Sequence, residues 1–138
     1  MLQRVQTIWL LAAAALSFLT LRLPVYNGNK TINDVNAYNT IGGTSSLFLI
    51  IITVCAGLIA FITLFLYKNR SMQLKLCFAG LLLCLLSGWL YYMQIKSFQQ
   101  GSFTLWSVLY FLVPVCFILA MRGIYRDQKL VKSIDRLR

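Results

Sequence analysis

The sequence predicts an all-α fold: an integral-membrane bundle of four transmembrane helices with both termini in the cytoplasm and a basic cytoplasmic C-terminal helix. Three observations lead there. Apolar residues fill 59% of the 138 positions and charged residues only 12%, against roughly 45–50% and 25% in soluble chains. Four stretches hold no Asp, Glu, Lys or Arg: Val5–Leu21, Leu47–Tyr67, Leu76–Met93 and Leu105–Met121. The basic residues between and beyond them are strongly biased to one side. At this length there is room for a single domain.

A charge at the bilayer centre costs roughly 2.5–3.5 kcal/mol on insertion scales, so long charge-free stretches are what lipid selects. Crossing about 30 Å of hydrocarbon takes about 20 apolar residues. With their flanks the spans run over 5–23, 46–67, 75–94 and 104–122, leaving 123–138 as the tail. A soluble core helix would show a polar face at the helical period, and the run Leu81-Leu82-Leu83-Cys84-Leu85-Leu86 has none.

Taken in order, the first span follows Arg4 and carries Trp9 near the headgroups. Its small residues Ala12–Ala15 lie inside the apolar run, with Leu16, Phe18, Leu19 and Leu21 still to come. The span therefore reads as an uncleaved anchor, since a signal peptide keeps its small residues at the end. Pro24 stops the helix. The Asn-rich loop Val25–Ser46 has a turn signal at Asn27-Gly28 and a flexible point at Gly42-Gly43, which suits a small hairpin or an irregular cap. Asn29-Lys30-Thr31 matches a glycosylation sequon, relevant only in a eukaryotic secretory route. Span two leads to the turn Lys68-Asn69-Arg70-Ser71, and Lys75 opens span three. Around the loop Gln94–Thr104, Trp89, Tyr91, Tyr92, Trp106 and Tyr110 form an aromatic belt. Span four contains Pro114, where a modest kink is expected.

Orientation follows from the short loops. Ten Lys and Arg fall on the side of the termini and three (Arg22, Lys30 and Lys96) on the other. The positive-inside rule puts the ten in the cytoplasm. The net charge of +10 is thus a topology signal, and no nucleic-acid partner is expected.

The chain has no His and no Glu, and only three Asp. That excludes a histidine base, a His-ligated metal and a Glu pair. No cofactor or metal site is expected. Cys55, Cys77, Cys84 and Cys116 all fall in spans. Cys77 and Cys84 stand two turns apart on one helix, about 10 Å of rise against a disulfide reach of about 7 Å. They read as small packing residues. Proton-coupled export needs a carboxylate in the membrane, and no span has one. Asp34, Asp127 and Asp135 read as isolated acids, Asp127 having only Gly123, Ile124, Leu130 and Val131 at helical offsets.

Two surfaces remain. Gly80, Cys84 and Gly88 make a small-residue stripe on span three, fitted to close helix packing. The tail carries an apolar stripe of Leu130, Ile134 and Leu137, with Arg126, Lys129, Lys132 and Arg136 as contacts to lipid headgroups or a partner. The tail reads either as a continuation of span four or as a helix lying on the membrane.

Three segments bear a resemblance to a known family: Leu2-Gln3-Arg4-Val5-Gln6-Thr7; Lys68-Asn69-Arg70 with Gln73, Lys75, Leu76 and Cys77; and the tail from Gln128 to Arg138. The chain resembles the small four-span membrane proteins of Bacteroidota grouped as domain of unknown function 4293, whose members often have an acid where Gln128 stands. The resemblance implies a Gram-negative inner membrane and the same layout, and brings no activity with it. The expected role is a non-enzymatic accessory subunit of a larger inner-membrane complex, first of envelope biogenesis or protein translocation. Its partners would be membrane lipids and other inner-membrane subunits. The alternative is a carrier of a neutral or lipidic solute, which would line a mid-membrane cavity with Thr53, Thr63 and Ser87.

Overall fold

The computed structural model describes residues 3–32, 35–66 and 69–135. Its elements are α1 (Gln3–Arg22), β1 (Pro24–Ile32), β2 (Val35–Gly42), α2 (Leu47–Phe65), α3 (Arg70–Ile95), β3 (Gln100–Phe103) and α4 (Ser107–Asp135). All four helices are long and apolar enough to cross a membrane. Each packs on its neighbours in sequence, and α1 and α4 close the ring. The start of α1 and the end of α4 therefore meet at one end of the bundle, the terminal end. The strands cap the other.

Each helix buries one side and leaves large apolar side chains such as Ile8, Phe61, Leu85 and Phe111 at least half exposed. In water that surface would drive aggregation; facing lipid, it is the solvent-matched side. The bundle core is built from small and medium residues, Ala13, Ala56, Ala60, Cys77, Cys84, Cys116 and Ala120 among them, around the fully buried Leu10, Phe117 and Ile124. Small side chains let helix backbones approach closely where no hydrophobic gradient drives association.

Helix α3 starts at Arg70, a turn before the expected span three, so Gln73 and Lys75 are helical. Helix α4 runs unbroken through Pro114 to Asp135, which decides the tail's form: it continues span four. Its 29 residues extend about 43 Å, some 13 Å beyond the hydrocarbon thickness.

The cap is more ordered than the loop composition suggests. Strand β1 pairs antiparallel with β2 and with β3, giving the order β2-β1-β3. The Asn27-Gly28 turn signal is overturned: both residues lie mid-strand, Asn27 opposite Thr40 and Ser102, Gly28 opposite Asn39 and Gly101. Glycine serves close approach there. A Cβ on Gly28 would run into the Gln100 carbonyl oxygen, and one on Gly101 would lie 2.6 Å from the Tyr26 ring. Gly43 is likewise a packing glycine, since its Cβ would meet Leu21 Cα at 2.7 Å. Tyr26, Val25, Ile41, Leu49 and Tyr91 form a second small core beneath the sheet. The sequon's Asn29 is paired on both sides within the sheet.

Candidate functional site

Polar side chains inside a membrane bundle are costly unless partnered, so their positions mark where something other than packing is at work. Along the bundle several are quenched locally. The hydroxyls of Thr53 and Thr63 donate to the carbonyls of Leu49 and Ile59 one turn earlier. Ser87 Oγ and Tyr110 Oη lie 2.9 Å apart, each within hydrogen-bond distance of the Cys84 carbonyl, at 2.8 and 2.9 Å. This knot ties α3 to α4.

The small-residue stripe of span three faces the same neighbour. Gly80 lies under the Phe117 ring, where a Cβ would approach Cε1 to 2.6 Å. Cys84 is buried, and a Cβ on Gly88 would come to 3.1 Å of the Tyr110 hydroxyl. The stripe is filled by the protein's own α4. Among the described residues no three Cys or Asp side chains come together to hold a metal.

The terminal end is different. Asp127 is buried on α4 and lies 3.8 Å from Arg70 at the start of α3. Its reading as an isolated acid is therefore corrected. Helical offsets within α4 offer it no partner, but the antiparallel neighbour brings one from 57 positions away. Gln128 Nε2 donates to Ser71 Oγ at 3.1 Å, and buried Gln73 donates to the Thr63 carbonyl at 3.3 Å. One turn back along α4, beside Gly123, Gln6 of α1 is buried with its Nε2 lacking an acceptor. Gly123 makes room for it: a Cβ there would fall 2.7 Å from Gln6 Cγ.

Between these parts of α1 and α4 lies a cavity of about 270 Å³, lined by Gln6, Trp9, Arg122, Arg126 and Asp127, with Val5 and Leu119 as apolar wall. Of the residues expected at a contact surface, Arg126 lines this cavity and Lys129 is exposed one turn on. Lys132 belongs to α4, but its side chain lies outside the described part of the structure, as does all of Arg136. Arg122, Gln6 and Arg70 were not legible as site residues. A Gln inside an apolar span, preceded by a basic residue, was the one signal available for Gln6.

The three segments that carry the family resemblance thus converge here: Gln6 from the first, Arg70 and Gln73 from the second, Gln128 from the tail. The family model described as a domain of unknown function, DUF4293, matches residues 2–137. The chain belongs to the DUF4293 family. No curated protein and no solved structure matches it. The DUF4293 match takes in every helix described above, so the bundle and its terminal-end cluster both lie within the family domain.

Proposed function

We propose that this protein is a non-enzymatic accessory subunit of a larger complex in the inner membrane of a Gram-negative bacterium of the Bacteroidota, with both termini in the cytoplasm. Envelope biogenesis or protein translocation is the first setting to test. The observation that carries the reading is the unbroken α4. A span and a basic segment joined as one continuous helix carry Lys129 and Lys132 beyond the hydrocarbon at a set distance from the span. A plain topology anchor has no use for that continuity.

The state of the hydroxyl groups inside the bundle supports a subunit over a carrier. Thr53, Thr63 and Ser87 direct their hydroxyls to backbone carbonyls of their own helices, leaving little to receive a solute. Affinity purification in mild detergent, with mass spectrometry of co-purifying proteins, tests the proposal. Replacing Lys129, Lys132 and Arg136 by alanine should release a specific membrane partner while the protein stays inserted. An unchanged set of co-purifying proteins would remove the docking role of the tail.

A further inference from the structure

We infer that the cavity between the first turns of α1 and the last membrane turns of α4 binds the phosphate headgroup of an anionic phospholipid. This goes beyond the subunit reading and does not depend on it, because no protein partner is involved.

Charge comes first. Arg122 and Arg126 stand one turn apart on α4 and line the same cavity. Among the described residues neither forms an ion pair, and the nearby Asp127 carboxylate is held by Arg70 of α3. Two exposed arginines therefore stand at the cavity, against one carboxylate that already has a cation. Guanidinium forks match phosphate oxygens in pairs, and basic pockets between transmembrane helices on the cytoplasmic side are where anionic headgroups bind.

The second observation is Gln6. It is 8% exposed, and its Nε2 has no acceptor within the protein. Leaving a buried donor unpaired is costly, yet Gly123 beside it leaves room for this side chain. The nitrogen is closed off as the side chain stands, so a ligand oxygen in the cavity that Gln6 lines would supply the missing acceptor once the amide turns toward it.

The third is the wall. Val5, Trp9 and Leu119 make the rest of the lining apolar, and Val5 is half exposed on the outer, lipid-facing side of α1. A free hydrated anion gains nothing from such a wall. A phospholipid can set its phosphate against the arginines and its glycerol and upper acyl chains along Val5 and Leu119, with Trp9 at the interface depth that suits an indole.

Native mass spectrometry of the purified full chain, titrated with phosphatidylglycerol or phosphatidylethanolamine, tests this directly. Phosphatidylglycerol should be retained preferentially. Arg122→Gln with Arg126→Gln should lower its occupancy about thirtyfold, roughly fivefold for each arginine near the surface. A charge-matched pair elsewhere in the sequence, Lys68→Gln with Lys75→Gln, should leave occupancy unchanged. Gln6→Leu, which keeps the volume and the net charge, should lower it about threefold; this variant decides the matter if the double arginine variant does not fold. Equal retention of both lipids, or an equal loss from both double variants, would mean general surface attraction and overturn the proposal. Displacement of the lipid by an equal concentration of inorganic phosphate would overturn it too, by making the cavity a site for soluble anions.

Discussion

Gly80 and Gly88 share one stripe on α3, yet their surroundings make them unequal. A methyl group at Gly80 would press into the fully buried Phe117 ring, which has no free space to enter. Gly80→Ala should cost about 1–3 kcal/mol in unfolding titrations in detergent, the usual price of overpacking a tight core. Gly88→Ala meets only the Tyr110 hydroxyl, at 3.1 Å, and should cost less than about 1 kcal/mol. A stripe of small residues is readable from spacing, but the depth of each contact is not, because it depends on which side chain the neighbouring helix brings. Asp127 makes the same point with charge. Asp127→Asn should destabilise the folded bundle by about 1–2 kcal/mol, since one partner is buried and the other half-solvated. Adding Arg70→Gln to that variant should cost little more if the two side chains act as a pair; full additivity in the same titration would show that they do not.

The four spans follow from local composition, and the helices observed agree with the expected spans to within a few residues at most ends. Departures occur where a neighbour takes over. Helix α3 gains an earlier start at Arg70, where its first turns pack beside α4 and supply the partners of Asp127 and Gln128. Strand β3 has no signal in the sequence. Gln100-Gly101-Ser102-Phe103 has no alternating apolar pattern and is exposed throughout; it is a strand because β1 offers it a free edge. Gly28→Ala places a methyl group against the Gln100 carbonyl. It should speed amide exchange in β3 and at Thr104, whose N–H donates to the Val25 carbonyl, while leaving exchange in the helices unchanged. Slow β3 exchange in that variant would show that the close approach is dispensable.

For the molecule as a whole, the arrangement puts the sheet at one end and the arginine-lined cavity at the other. A single cysteine at Tyr38, which is exposed on the sheet, should react with a membrane-impermeant maleimide in cells with a permeable outer membrane. One at Lys129 should react only after the inner membrane is broken. The reverse pattern would turn the protein over in the bilayer and remove the cytoplasmic setting of the tail. Lipid as solvent, the number of crossings and the excess of positive charge at one end were determined by the sequence alone, because each depends only on how charged and apolar residues are distributed along the chain. The pairing of Arg70 with Asp127, the fit of Gln6 against Gly123, the third strand and the cavity were decided only by the tertiary structure. Each joins residues far apart in the chain, and their meeting is set by how the helices and strands pack against one another.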